Sequence, residues 1–274
     1  MTSGGSIPGE PWAARPWPGP WSVRRIAVTG STNVDLLDAA DRGVVADRTA
    51  LVTGHQTAGR GRLDRRWDAP PDSNLLVSLL LSSTPTPGLL TQSVGLAAVR
   101  GLERLAGEAA GGDAHAAGGL GLKWPNDVLV GDRKLAGVLA QRSPASGAVV
   151  VGIGLNVGWA PEGAATVRDD LRCDVGAADV LAALLGALDE LVPPPGAGRA
   201  VDDEARRLAY RARLVTLGRR VRAELPGGGS LVGTAHDVDA TGRLVVVDDG
   251  GDRHVLDAGD VVHLRPADDH PADG

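Results

Sequence analysis

Three strings in this chain gather side chains that could handle anions. The first is GRGRLDRRW, Gly59–Trp67, which sets Arg60, Arg62, Arg65 and Arg66 among glycines. A guanidinium presents a fork of donors that matches carboxylate and phosphate oxygens. Glycines let a backbone come close to a ligand. A solvated basic loop is the plain alternative, but the string follows directly on the apolar run ALVTGHQ, which is the context of an anion site. The second string is KWPNDVLVGDRKLAGVLAQ, Lys123–Gln141, with Lys123 and Lys134 on either side of a chain reversal and Asn126 and Asp127 in a Pro-containing turn. A lysine entering a strand can neutralise an anion in a cleft, and an aspartate beside it can hold Mg2+. A hairpin with surface charges is the competing reading. The third, VVVGIGLNVGW (149–159), reads as a buried strand ending in Gly152-x-Gly154-x-Asn156. It lacks the G-x-G-x-x-G helix of a dinucleotide site. Its glycines permit close backbone approach, and the Asn156 amide either pairs with an adenine edge or satisfies its own turn. A smaller group, Ser31-Thr32-Asn33, opens a helical pattern. Its hydroxyls and backbone N–H groups suit a polar head group, helix capping, or both.

Other chemistries find little support. There is no P-loop, no G-x-S-x-G and no H-E-x-x-H, and the scattered histidines read as structural or surface residues. The single Cys173 excludes an internal disulfide and a multi-cysteine metal site. A net charge of −6 argues against general nucleic-acid binding, so no DNA partner is expected. No apolar run is long enough to span a membrane. The N-terminal stretch has no apolar core segment, so no signal peptide and a cytoplasmic setting are expected.

These residues need a scaffold, and the 274-residue length allows one large domain plus a small one. With 43% hydrophobic residues but no Phe, the core must come from aliphatic side chains. Residues 1–20, with five prolines from Pro8 to Pro20, are expected to be a disordered tail. Strands are expected at Trp21–Val28, Ala50–Gln56, Asn74–Leu81, Leu120–Trp124 and Asp127–Val130. Lys134–Gln141 and Ala148–Leu155 should form an antiparallel pair. Helices are expected from a capping box at Thr32 and Asp35, over Leu89–Ala106, Val175–Leu191 and Asp202–Val215. From about Gly218, five short alternating strands separated by Gly turns suggest a small SH3-like barrel over 218–266, with 267–274 as a tail.

In their order and spacing, STN, QTAGRGR, Trp67, KWPNDV, RKLAG and GIGLNV together closely resemble the biotin–protein ligases, over roughly residues 22–215. The resemblance implies an α+β fold: a mixed-sheet catalytic domain of the biotin/lipoate ligase type over 21–217, followed by the SH3-like domain. It implies that biotin and ATP form biotinyl-adenylate and that biotin passes to a lysine of a biotin carboxyl carrier domain. By position, Ser31, Thr32, Asn33, Gln56, Arg60, Gly61, Arg62 and Lys134 would bind biotin. Arg62, Arg65, Trp67, Asn126, Lys134 and Asn156 would serve ATP, and Asp127 would serve Mg2+. Lys134 and Arg62 would be catalytic. A lipoate–protein ligase-like acyltransferase and a non-catalytic biotin or adenylate sensor are the rival functions. Asp64 departs from the family's common Gly. Only about thirty residues precede Ser31, so the single-function type without a DNA-binding domain is implied, and a weak homodimer is compatible with the resemblance.

Overall fold

The computed structural model describes residues 12, 15–81, 87–109, 119–198, 202–225, 228–258 and 263–266. Twelve strands and five α-helices are found among them. In chain order they are β1 (Ser22–Thr29), α1 (Thr32–Asp41), β2 (Thr49–Gln56), β3 (Leu75–Leu80), α2 (Pro87–Ala109), β4 (Leu120–Lys123), β5 (Asp127–Val130), β6 (Arg133–Arg142) and β7 (Val149–Leu155). Then follow α3 (Val167–Asp170), α4 (Ala177–Leu191), α5 (Asp203–Arg211), β8 (Arg220–Glu224), β9 (Ser230–Val238), β10 (Leu244–Val247), β11 (Arg253–Leu256) and β12 (His263–Pro266). Every expected strand and helix is present with small shifts at its ends; α3 is an addition. The first seven strands form one mixed sheet in the order β1-β2-β3-β7-β6-β5-β4, parallel only at β1–β2. The last five form a separate antiparallel sheet, β11-β10-β9-β8-β12, the expected SH3-like unit.

Alternation along the strands divides the large sheet into two faces. One face carries Leu75, Val77 and Leu79 of β3, Val149, Val151, Ile153 and Leu155 of β7, and Ala136 and Val138 of β6, all in the main core. Helices α2 and α4 contribute to that same core and lie against each other. They approach so closely that a Cβ on Gly101 would sit 2.8 Å from the Ala183 backbone. On the opposite face, register pairs Ser78 with Gly152 and Leu139, and Leu76 with Gly154 and Gly137. Helix α1 packs there through Leu36, against Leu80 and Val150. The face therefore has an apolar end under α1 and an end of nearly bare backbone beyond it.

Two sequence expectations are corrected. The helix opens one residue early, with Ser31 at the N-cap, and the Thr32–Asp35 capping box does not form. Thr32 is instead bonded to Gln56, and Asp35 accepts from the Thr29 hydroxyl. The tail expectation also fails for the described part of residues 1–20. Trp12 and Trp17 stack with ring centres 5.7 Å apart, and Arg15 pairs with Asp179 of α4 at 2.7 Å. The apolar bulk of the tryptophans gives this Pro-rich segment something to bury. The rest of that stretch and residues 267–274 lie outside the described residues.

Next to it lies a buried ionic contact. Arg48 is 2% exposed, donates to Asp189 at 2.6 Å and to the Val192 carbonyl, and lies 5.1 Å from the Trp21 ring centre. Trp21 Nε1 donates to the same Asp189 carboxylate at 3.0 Å. This links strand β2's approach, strand β1 and helix α4. Asp189→Ala would leave the buried guanidinium with only Asp47, whose carboxylate stands 3.9 Å away, at a cost of about 3 kcal/mol. Urea denaturation of the variant should show that loss with an unchanged m-value.

Candidate functional site

One cleft on the bare end of the α1 face collects the candidate residues. Ser31, Thr32, Asn33, Gln56, Arg60, Gly61, Arg62, Arg65, Trp67, Asn126, Asp127 and Lys134 all line it. Its floor is Gly137 of β6 with Gly152 and Gly154 of β7. The reason for glycine is steric. A Cβ on Gly154 would lie 2.4 Å from the Trp67 indole, and one on Gly152 would lie 2.3 Å from Asn33 Oδ1.

The polar end is a wired network. Gln56 Oε1 accepts from the Thr32 N–H at 2.9 Å and from its hydroxyl at 3.1 Å. The Ser78 hydroxyl sits 2.7 Å from Thr32 Oγ1 and 2.5 Å from Asn33 Oδ1. Asn33 Nδ2 donates to Gln141 Oε1 at 2.8 Å and to the Leu139 carbonyl at 3.2 Å. Asn33 is 5% exposed, so it ties α1 to β6 more than it offers atoms to the cleft. Ser31 makes no capping bond with its hydroxyl.

The cationic end is built by a loop and a bulge. Residues 59–67 fold back on themselves: Trp67 N donates to the Gly59 carbonyl at 3.0 Å and Gly61 N to the Arg65 carbonyl at 2.6 Å. Leu63 takes a left-handed conformation, φ 54°, at the tip. Arg62 donates to the Ala258 carbonyl of the C-terminal unit. Burial pulls the Arg62 guanidinium below the ordinary arginine range, Asp127 and Asp257 oppose that, and Arg65 adds to it. Asp64's side chain lies outside the described atoms.

Lys134 owes its direction to a register shift. Asp127 pairs with Gly137 and Val128 with Ala136, but Leu129 pairs with Lys134, leaving Leu135 as the extra residue of a β-bulge. Plain alternation back from Gly137 would point Leu135 at the cleft and Lys134 at the core. The bulge exchanges them: Leu135 is fully buried, and Lys134 Nζ meets Asp127 Oδ1 at 2.6 Å and lies 5.5 Å from the Trp67 ring centre. Among the described residues lining the cleft, Asp127 is the one carboxylate.

Two residues singled out in the sequence stand off the cleft wall. Asn156 does not line the cleft. It is 3% exposed, and its Nδ2 donates to the Ala165 carbonyl at 3.1 Å and reaches the Lys134 carbonyl at 3.5 Å. The amide expected to meet adenine is bonded here to these two carbonyls. Lys123 is likewise off the cleft wall, in a crevice with Leu129, Val215 and Arg219. Asn126 is on the wall, though its Nδ2 is bonded to the Val138 carbonyl at 2.9 Å. Sequence reasoning missed Asn74, whose Oδ1 accepts from Val157 N at 2.9 Å. No described histidine lines the cleft.

The comparisons agree with this geometry. Residues 27–157 match the biotin/lipoate A/B protein ligase family, and residues 216–264 match the biotin protein ligase C-terminal domain. The chain is 42% identical over 251 residues to the biotin–[acetyl-CoA-carboxylase] ligase of Mycobacterium tuberculosis, covering 88% of each. The bifunctional ligase/repressor of Escherichia coli is 32% identical over 142 residues, 50% of this chain and 40% of that one. Among solved structures, biotin protein ligase from Aquifex aeolicus in complex with biotin and ATP superposes with a TM-score of 0.72 at 26% identity, over 89% of this chain and 99% of that one. The two units and the cleft on the large sheet define a ligase of the biotin/lipoate class. Within that class, the chain belongs to the biotin protein ligase family.

The indole's seat on bare backbone is testable. Gly154→Ala should push Trp67 off the floor and lower stability by about 1–3 kcal/mol through overpacking. Difference fluorescence against the matching Trp67→Phe pair should show the indole's emission moved to the red.

Proposed function

We propose that this chain activates biotin with ATP and transfers it to a lysine of a biotin carboxyl carrier domain of a carboxylase. The observation that carries the reading is the meeting of the two ends of the cleft at Lys134. A neutral hydrogen-bonding end, Ser31-Thr32-Gln56, suits biotin's ring. The cations Arg60, Arg62 and Lys134 stand where its carboxylate would emerge.

Joining a carboxylate to a nucleotide phosphate requires two anions to approach. Lys134 and Arg62 offset their repulsion and the charge that develops on the α-phosphate. Lys134 starts out paired with Asp127, so the arriving anions exchange for that carboxylate without creating an uncompensated ammonium. Biotin's carboxylate oxygen bonds to the α-phosphorus, the bond to the bridging oxygen breaks, and pyrophosphate leaves. The acceptor amine then attacks the biotinyl carbonyl, AMP leaves, and the amine's proton is lost. No enzyme nucleophile is needed, in keeping with described lining residues that include no histidine or cysteine.

Mg2+ enters this reading as a companion of ATP. The described residues hold no group of three or more acidic, His or Cys ligands. The single carboxylate Asp127 fits an ion that keeps most of its ligands from phosphate and water. Bound there, Mg2+ would neutralise charge on the phosphates.

The space also bears on mechanism. With Trp67 seated, the cleft holds only about 140 Å³, while a neighbouring cavity of about 570 Å³ lies beyond the same loop residues, Arg60–Leu63. Ligand sites for molecules of this size usually span several hundred Å³. Movement of the loop and Trp67 joins the two spaces and then covers the adenylate from water. No helix among the described residues is long and apolar enough to cross a membrane, and the reading places the enzyme in the cytoplasm with its substrates.

Biotin-dependent exchange of labelled pyrophosphate into ATP tests the reading. The wild type should show it with biotin and not with lipoate. Lys134→Ala should lower it on the order of 10²-fold or more while the protein stays folded. No exchange by the wild type, or near-normal exchange by the variant, would refute the assignment.

A further inference from the structure

The turn that carries Asn126 and Asp127 is gripped from two sides. On the inner side, Val138 N donates to the Asn126 carbonyl and Asn126 Nδ2 to the Val138 carbonyl, both at 2.9 Å, and Asp127 meets Lys134 at 2.6 Å. The outer side is closed by chain that follows α5. Leu122 N donates to the Arg213 carbonyl at 2.8 Å and Val215 N to the Leu122 carbonyl at 2.9 Å, which covers the edge of β4. Trp124 N donates to the Thr216 hydroxyl at 3.0 Å. The Trp124 side chain is 1% exposed, and a buried indole N–H needs an acceptor.

That acceptor comes from the C-terminal unit. The Gly242 carbonyl, in the turn between β9 and β10, accepts from Trp124 Nε1 at 3.1 Å and from Gln92 Nε2 of α2 at 2.7 Å. Two donors occupy both lone pairs of one carbonyl oxygen. Gly242 has a φ of +86°, and a Cβ there would lie 2.5 Å from Gln92 Nε2, so glycine is what lets the carbonyl come this close. One carboxylate shapes the turn. Asp239 Oδ1 accepts from the N–H groups of Thr241 at 2.9 Å and Arg243 at 3.0 Å and from the Thr241 hydroxyl at 2.8 Å, while Oδ2 accepts from Arg243 Nε at 2.8 Å. Gln92, Trp124 and Gly242 do not line the cleft; they stand in the wall of the neighbouring cavity.

We propose that the Gly242 carbonyl is a latch: by fixing the Trp124 indole against α2 it holds the Asn126-Asp127 turn in place against β6 for the use of MgATP, with Trp124 and Asp239 as positioning residues. The proposal rests on the reading of Asn126 and Asp127 as the residues that serve ATP and Mg2+. Asn126 and Asp127 follow Trp124 within one short turn, so play at the indole passes directly to them. The biotin-facing network of Thr32, Gln56 and Ser78 is carried by α1, β2 and β3 and stands on other bonds. The latch therefore acts on the nucleotide and leaves biotin binding alone.

The test uses the full chain and two variants, alone and combined. Trp124→Phe keeps an aromatic ring in the core and removes the indole donor. Asp239→Ala frees the turn that presents the carbonyl and leaves Trp124 intact. For Trp124→Phe we expect kcat/KM for MgATP in pyrophosphate exchange to fall about tenfold, mostly through KM, as small misplacements of a binding group do, with biotin Kd within about twofold. Asp239→Ala should lose about threefold in the same way. Because both act through one bond, the double variant should be no worse than Trp124→Phe. Hydrogen exchange at the Val138 amide, which donates to Asn126, should quicken in both. An unchanged kcat/KM in Trp124→Phe overturns the latch, as does a double variant whose losses multiply, or a biotin Kd that weakens in step with the folded fraction. If Trp124→Phe does not fold, an unchanged kcat/KM in Asp239→Ala overturns it instead. Absence of pyrophosphate exchange in the wild type would sink the functional reading and not the latch, which amide protection then decides: unchanged exchange at Val138 in both variants would refute it.

Discussion

One extra residue in β6 decides what this cleft can do. The bulge at Leu135 reverses the faces of two neighbours, sending a leucine into the core and a lysine out over a floor of glycines. Had the ladder continued in register, the ammonium would face Ala136's side of the sheet, where α2 and α4 pack. An uncompensated ammonium there would cost several kcal/mol. The bulge instead delivers it to Asp127 at 2.6 Å, under the Trp67 indole.

The remaining architecture serves that placement from three sides. Helix α1 brings hydroxyls and an amide to one end of the floor, fixed through Ser78 and Gln56. The loop after β2 brings arginines to the other. The C-terminal unit touches the same region twice. Arg62 donates to the Ala258 carbonyl, and the Gly242 carbonyl accepts from Trp124 Nε1 at 3.1 Å and Gln92 Nε2 at 2.7 Å. Trp124 immediately precedes the turn that carries Asn126 and Asp127. The small unit thus braces both walls of the cleft, and its place in the family's architecture has a physical reason.

Much of this could be read from the chain itself, because its signals are local. Apolar alternation and Gly turns marked the strands, and the anion-handling side chains came in short strings. What escaped depends on contacts distant in sequence. Asn74 looks like the first residue of a strand, and only folding brings it to Asn156, eighty-two positions away. The RKLAG string gives no hint of a bulge, since Leu135 and Gly137 alternate as an ordinary strand would. Thr32 and Asp35 have the spacing of a capping box, but Gln56 captures Thr32 first. Arg48 and Asp189 meet across 141 positions, so neither string announces a buried pair.

The account turns on Lys134 being held ready by Asp127 and handed over to an incoming anion. Calorimetric titration of biotin into Asp127→Asn tests this most directly, with no ATP present. Biotin's carboxylate would no longer compete with a protein carboxylate for the ammonium, so Kd should tighten by about threefold or more. The same change in a Lys134→Ala background should have no such effect. An unchanged or weaker Kd in Asp127→Asn would contradict the account.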